Sequence, residues 1–198
     1  NMPIIRDASE APEYIKNKKN FIKIRKVAYK HFRVIIYNNV IVISTHLYIM
    51  YSKLIDTKKI IKIPILVDIN RFKHNKNNSI NDANNITYVG YMGGDKDGLL
   101  DLIEAYNIVN KSNSGITLRL IGSAPEDDIN TIKKAVNNYG LSKKVEFVGQ
   151  VSSDKIPQYL SESSILVLAR PKNNQAQAGF PTKLGEYLAS KKPVVITD

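Results

Sequence analysis

The stretch that decides the fold begins at Ile165-Leu166-Val167-Leu168-Ala169-Arg170-Pro171. It passes through Gly179-Phe180-Pro181-Thr182-Lys183-Leu184-Gly185-Glu186-Tyr187-Leu188-Ala189-Ser190 and closes on Pro193-Val194-Val195-Ile196-Thr197-Asp198. Four apolar residues in a row, Ile165 to Leu168, suit a strand of a parallel sheet buried on both faces. Arg170 to Pro181 holds two prolines, a glycine and a cluster of amides, so it reads as a loop. Thr182 is placed to cap a helix that runs through about Ser190, and Pro193 to Thr197 reads as the next strand.

The first turn of that helix is chemically odd. Lys183 sits at the positive end of the helix macrodipole, where a cation is mildly unfavourable and an anion is welcome. Gly185 inside the helix costs about 1 kcal/mol relative to alanine and lets another group approach the backbone. Free first-turn N–H groups, a lysine and a strand ending just before them make a place for a phosphate. Glu186, one turn further in, is suited to accept hydrogen bonds from sugar hydroxyls. The residues therefore describe a phosphate-plus-hydroxyl site, which fits a nucleotide sugar. Standing alone, they also fit an ordinary capped helix with a surface lysine.

A second constellation lies at Tyr88-Val89-Gly90-Tyr91-Met92-Gly93-Gly94-Asp95-Lys96-Asp97-Gly98: a strand, a glycine-rich turn and a helix start. Glycines permit close backbone approach, and N–H groups in such a turn can cradle a diphosphate, with Lys96 supplying a point charge. The pattern matches neither the dinucleotide-binding glycine motif nor the Walker lysine loop. Asp95-Lys96-Asp97 has the Asp-x-Asp form that binds a divalent metal in one known enzyme fold. Acidic residues at a helix start explain it as well. His31, His46 and His74 show no ligand spacing.

Together, Gly179-Phe180-Pro181-Thr182-Lys183-Leu184, Glu186 to Ser190 and Pro193-Val194-Val195 resemble the donor-site signature of retaining family-4 glycosyltransferases. They match the Gly-Phe-Pro-Thr-Lys-Leu variant of bacterial surface-polysaccharide synthesis. The resemblance implies a GT-B fold, with two Rossmann-like α/β domains. It implies transfer of a hexose from a nucleoside diphosphate sugar to a sugar or lipid-linked saccharide, with retention of configuration. Lys96 and Lys183 would neutralise the leaving diphosphate. Gly90, Gly93, Gly94, Arg170, Gly179, Phe180, Pro181, Thr182, Leu184 and Glu186 would bind substrate, with Glu186 on the ribose. No cofactor and no metal is implied. Two departures stand out. The family's Glu-x7-Glu motif puts its second glutamate on Glu186 but its first on Ala178, and Tyr91 stands where many members carry arginine. Arg170 is placed to replace that charge. Ala178 also leaves open a non-catalytic nucleotide-sugar-binding or scaffold protein.

Composition sets the outer bounds. The chain has 198 residues, 43% of them hydrophobic and 24% charged, which is ordinary for a globular protein. It has no cysteine, which excludes disulfides and thiolate metal sites. Its net charge of +11 is uneven: residues 1–80 hold sixteen basic against five acidic side chains, and residues 81–198 hold thirteen of each. Such a basic part suits a nucleic acid, an anionic membrane surface or plain solvent. No zinc-finger, helix-turn-helix or RNA-recognition signature accompanies it, so no nucleic-acid partner is expected. The resemblance favours the membrane, because related enzymes take lipid-linked acceptors. A cytoplasmic protein peripheral to the inner face of the cell membrane is the resulting expectation. The start carries no signal-peptide pattern.

Residues 1–66 are expected to be the C-terminal part of an acceptor-side domain, and residues 67–85 a linker. Residues 86–198 are expected to be a donor-binding domain truncated at its C-terminus. Within the first part, Glu10-Ala11-Pro12-Glu13 is turn-like, and Lys19 to Tyr37 reads as an amphipathic helix with a basic outer face. Val40 to Ser44 reads as a strand, Thr45 to Ile55 as a helix and Ile60 to Ile63 as a short strand. Val34 to Tyr51 is too interrupted to span a membrane. Pro64-Ile65-Leu66-Val67-Asp68 followed by Phe72 looks like the family's crossover between domains. From Ile86 the chain alternates βαβα, which predicts a parallel sheet. Strands fall at 86–90, 117–121, 145–148, 165–168 and 194–197, and helices at 98–110, 129–139, 156–161 and 183–190.

The basic helix yields a direct test. Anionic vesicles should bind the protein through the lysines between Lys16 and Arg33 more tightly than neutral vesicles do, with affinity falling as salt rises. Equal binding to both vesicle types, or none, leaves the lysines merely solvated.

Overall fold

The computed structural model describes residues 4–8, 38–73, 84–94, 96–172 and 179–197. Two compact units divide the chain: Asn1–Leu66 with Lys172–Pro181, and Val67–Pro171 with Thr182–Asp198. The expected basic helix, the Glu10–Glu13 turn and most of the expected linker lie outside the described residues.

The first unit contains a parallel sheet of three strands in the order β1 (Ile5–Ala8), β2 (Asn39–Val42) and β3 (Ile60–Lys62), with helix α1 (Thr45–Ser52) between β2 and β3. Ser44 caps α1, its hydroxyl accepting from the Leu47 N–H at 3.1 Å. Ala8, Val40, Val42, Leu47, Tyr51 and Ile60 form a small buried cluster. The strand expected at 40–44 and the helix expected at 45–55 are present but end sooner. β1 went unread in the sequence, because Arg6 and Asp7 break its apolar run and nothing in so short an edge strand separates it from a loop.

The second unit is a five-stranded parallel sheet. Its strands are β4 (Asn85–Val89), β5 (Thr117–Ile121), β6 (Val145–Gly149), β7 (Ile165–Leu168) and β8 (Val194–Ile196), in the order β6-β5-β4-β7-β8. Helices α2 (Leu99–Ser112), α3 (Glu126–Asn138), α4 (Ile156–Ser161) and α5 (Thr182–Ala189) alternate with the strands. Each was legible in the sequence to within a few residues. α2 buries Leu99, Leu102, Ile103 and Tyr106, one stripe at helical spacing. α3 opens with Glu126, Asp127 and Asp128, which suit a helix N-terminus. Among the described residues no helix is long and apolar enough to cross a membrane.

Strand order decides where a ligand fits. From β4 the chain moves outward through β5 to β6, then returns to place β7 on the opposite flank of β4. The C-terminal ends of β4 and β7 therefore flank the topological switch point, where open α/β sheets form their crevice. Two glycines shape this edge. Gly98, at φ +59°, lies against the Ala169 carbonyl, and Gly122, at φ +143°, lies against the Gly90 carbonyl. A Cβ at Gly122 would run into that carbonyl oxygen. We expect Gly122→Ala to lower stability by at least about 2 kcal/mol, from backbone strain and the forced retreat of Gly90. Gly115→Ala, whose added Cβ would meet only the Asn113 side chain, should stay within about 0.5 kcal/mol. Urea unfolding of both variants measures the contrast.

Candidate functional site

At the switch point the β4–β7 ladder is short. It pairs Ile86 with Ile165 and Thr87 with Leu166, and ends there. Beyond it the Val89 N–H would be a buried donor without a strand partner, which costs free energy wherever water is excluded. The Tyr187 hydroxyl fills the gap: it accepts from the Val89 N–H at 2.8 Å and lies 3.4 Å from the carbonyls of both Val89 and Val167. The ring is fully buried, and burial pushes the phenol's pKa up. α5 is thus pinned to the sheet at one position. Lys183 lies four residues earlier on the same helix face, so it is directed at the end of β4.

That end is polar beneath its surface. The Tyr88 hydroxyl donates to Asp97 Oδ2 at 2.7 Å and lies 3.1 Å from the Tyr91 carbonyl. Burial, and then the Asp97 carboxylate, push the Tyr88 pKa far up. Asp97 is 6% exposed and Arg170 8% exposed, with Nε and Oδ1 3.6 Å apart. A Cβ on Gly90 would collide with the Tyr88 phenol and come within 2.8 Å of the Lys183 stem. The absence of a side chain at Gly90 leaves room for both the Tyr88 phenol and the Lys183 stem. Burial holds the Lys183 amine below the ordinary lysine range. Asp97 pulls it upward against that, Lys96 pushes it down, Glu186 pulls up and Arg170 pushes down. Three cations, Lys96, Lys183 and Arg170, are thereby gathered at the end of β4.

The glycine turn is more firmly held than the sequence suggests. The Gly90 N–H donates to the Ile121 carbonyl at 2.8 Å, the Met92 N–H to the Ser123 carbonyl at 2.9 Å, and the Gly94 N–H to Asp128 Oδ2 at 3.1 Å. The Tyr91 ring lies over Gly93, where a Cβ would touch it. Of the expected site residues, the catalytic Lys96 and Lys183 and the substrate-binding Gly90, Gly93, Gly94, Arg170, Thr182, Leu184 and Glu186 belong to the second unit, while Gly179, Phe180 and Pro181 group with the first. Thr182 is exposed and is the first residue of α5 rather than the residue before it. Leu184 packs against the core of the sheet. Ala178 and Asp95 lie outside the described residues.

Glu186 is not an isolated carboxylate. Arg71 Nη1 donates to its Oε1 at 2.8 Å, while Arg71 Nη2 donates to the Ser153 carbonyl at 2.5 Å and hydroxyl at 3.0 Å. Sequence reasoning missed Arg71, Tyr88, Asp97 and Tyr187. Asp97 had been read as an acidic residue at a helix start; it is instead the buried counter-ion of the site. Among the described residues no three His, Asp or Glu converge as a metal site.

The family model described as "Glycosyl transferases group 1" matches residues 83–198. No curated protein sequence matches the chain. Solved structures do. Anabaena Alr3699/HepE in complex with UDP is similar at a TM-score of 0.76 and 17% identity, over 98% of this chain and 53% of that one. TarM of S. aureus gives 0.75 and 19%, over 100% of this chain and 37% of that one. A glycosyltransferase from Rickettsia africae ESF-5 gives 0.73 and 20%, over 98% and 51%. The chain spans about half the length of two of these proteins and 37% of TarM. At such identities the likeness is one of fold, and the fold is of the GT-B type: parallel sheets flanked by helices.

Asp97 is the testable centre. Asp97→Asn leaves Arg170 and Lys183 without their buried counter-charge and should cost on the order of 3 kcal/mol in urea unfolding. It should also carry the Lys183 amine further down. A lysine whose folded value lies below its unfolded value of about 10.4 binds its proton more weakly in the fold. Stability then rises as pH climbs through the folded value towards the unfolded one. In the variant that rise should begin at lower pH than in the parent, as unfolding measured across alkaline pH would show.

Proposed function

The chain belongs to the group 1 glycosyl transferases, and from that premise we propose a retaining, family-4-type hexosyltransferase of surface-polysaccharide synthesis. Its donor is a nucleoside diphosphate sugar and its acceptor a sugar or lipid-linked saccharide. The observation that carries this reading is Lys183 on the first turn of α5 beside Gly90, with Arg170 paired to the buried Asp97 and both Arg170 and Lys96 within electrostatic reach of the Lys183 amine. Three cations beside a helix N-terminus suit a diphosphate. In the reaction the bond between the sugar's anomeric carbon and the diphosphate oxygen breaks, and its electron pair leaves with the diphosphate. The acceptor oxygen bonds to the same carbon, and its proton passes to an oxygen of the departing diphosphate. Lys96, Lys183 and the N–H groups of Thr182 and Lys183 stabilise the charge growing on the leaving group without reorganising as it grows. Arg170 adds a third positive charge, so the protein supplies without a metal the neutralisation that the step needs.

The relatives are consistent with this chemistry. HepE has been crystallised with UDP and glucose and with UDP-glucose, and TarM with α-GlcNAc-glycerol and UDP. In the same reading residues 86–198 bind the donor, residues 67–85 link, and residues 1–66 are part of the acceptor side. The basic first part lies against the anionic inner face of the cell membrane. Gly179, Phe180 and Pro181 lead the chain into α5. Ala178, standing where the family's first glutamate falls, favours a second reading, a nucleotide-sugar-binding protein that does not turn over. Donor-dependent transfer to a saccharide acceptor distinguishes the two.

Glu186 tests the donor site. A carboxylate accepting from both ribose hydroxyls contributes roughly 1.5–3 kcal/mol, so Glu186→Ala should weaken UDP binding about tenfold to a hundredfold. The pair with Arg71 is partly exposed, at 30% and 23%, so its loss should cost no more than about 1 kcal/mol of stability. A 2′,3′-dideoxy nucleotide should bind the parent weakly and lose little more in the variant. Calorimetric titration reads this directly. An equal loss for both nucleotides would take the ribose away from Glu186.

A further inference from the structure

Arg71 sits on a single turn of 3-10 helix, Ile69–Phe72, just ahead of β4. Asp68 caps that turn, its Oδ1 accepting from the Asn70 N–H at 2.9 Å, and Phe72 packs against the core of the sheet. The guanidinium is fixed from both sides. Its Nη2 is spent on the Ser153 carbonyl and hydroxyl, beyond the end of β6, and its Nη1 reaches across to Glu186 Oε1. The planar fork makes both contacts at once.

The direction in which this turns Glu186 is informative. Lys183 lies three residues before Glu186, a spacing at which opposite charges on a helix ordinarily pair. Among the described residues the only ion pair of Glu186 is with Arg71, and Lys183 makes none within 4.0 Å. The carboxylate has turned to the other cation. Its Oε1 is occupied, and no described residue donates to Oε2. A carboxylate has room for about four hydrogen bonds, so one anchored oxygen still leaves acceptor capacity for a pair of hydroxyls.

We propose that Arg71 is the positioning residue of the nucleotide site: it holds the Glu186 carboxylate away from Lys183, presenting Glu186 to the ribose hydroxyls and leaving Lys183 its full charge for the diphosphate. This rests on the reading of Glu186 given above. Without Arg71, Glu186 has three free torsions and a lysine one turn away. It then closes onto Lys183, and the acceptor and the cation are lost to each other.

The test uses the whole chain and five proteins: parent, Arg71→Ala, Glu186→Ala, the double variant and the conservative replacement Arg71→Lys. Each is titrated calorimetrically with UDP and with its 2′,3′-dideoxy analogue; GDP and ADP pairs replace UDP if the parent prefers them. The parent should favour the ribose form by tenfold or more. Arg71→Ala should lose about tenfold for the ribose nucleotide and less than about twofold for the dideoxy one. The double variant should match Glu186→Ala, because Arg71 acts only through that carboxylate. Arg71→Lys should recover part of the loss, since lysine keeps the charge without the fork. The Lys183 amine, followed by NMR titration, should move up in Arg71→Ala, a change that simple loosening of the turn would not cause. If the parent discriminates and Glu186→Ala abolishes this while Arg71→Ala does not, the positioning role falls and the ribose reading stands. Equal losses for both nucleotides in Arg71→Ala also overturn the positioning role. A parent that ignores the ribose, or binds none of the nucleotides, overturns both readings.

Discussion

The Val89 N–H constrains everything around it. β4 and β7 part after Thr87, as strands at a switch point do when a ligand crevice opens between their ends. Opening the sheet leaves a buried donor unmatched, and an unmatched buried N–H costs about as much as a lost hydrogen bond. The Tyr187 hydroxyl resolves the conflict, because one phenol oxygen accepts from Val89 and has a proton to give to one of two nearby carbonyls. The helix that carries Tyr187 is thereby fixed in rotation and depth against the sheet. That contact, with Leu184 packed on the core beside it, sets where the backbone of Lys183 and Glu186 stands against the sheet.

Rotation alone would not bring Lys183 close to β4. The lysine stem needs room above the strand end, and so does the Tyr88 phenol that reaches back to Asp97. Both occupy the space that a side chain at position 90 would take. Glycine there is a requirement of volume, independent of any need for an unusual backbone angle. Tyr88 makes the arrangement rigid: its ring belongs to the core, and its hydroxyl holds a carboxylate that in turn faces an arginine. The Tyr88–Asp97 hydrogen bond in this buried place leaves the carboxylate few alternative positions, while Arg170 Nε faces it at 3.6 Å without a hydrogen bond of its own. Tyr88 and Asp97 are therefore held in place by the fold itself.

What could be read from the sequence followed locality. The second unit's sheet and helices were legible because continuous apolar runs, caps and glycines announce a βαβ alternation within a few residues of each element. Lys96, Lys183 and Glu186 stand out in the sequence because a short motif carries each of them, and the fold places all three in the same unit. Tyr88 was passed over as one more apolar residue of a strand, since nothing local shows that its hydroxyl finds a carboxylate nine residues on. Asp97 stood beside Gly98 and looked like a helix-start acid. Arg71 belongs to a basic stretch that reads as solvated, and its partner lies 115 positions away. Pairings of that range leave no trace in periodicity. They are made by the fold, after the elements are in place.

The same point governs the charge. Residues 81–198 carry thirteen basic and thirteen acidic side chains, so the positive site cannot come from a surplus. It comes from who is paired with whom. Arg119, on the strand beside β4, is matched by Glu146 at 2.9 Å and Glu162 at 3.8 Å. Asp128 is taken up by the Gly94 N–H, and Glu186 by Arg71 from outside the β-α alternation. At the end of β4, Lys183 and Arg170 are both drawn to the one buried carboxylate of Asp97, and Lys96 adds its repulsion. One carboxylate shared between Lys183 and Arg170 does not balance both of them. Desolvation makes the excess more costly, which is why Lys183 holds its proton less tightly than an exposed lysine. On the proposed reading of this site, a diphosphate relieves that repulsion as it binds, so the strain of assembling like charges in the empty protein would return as affinity for the donor.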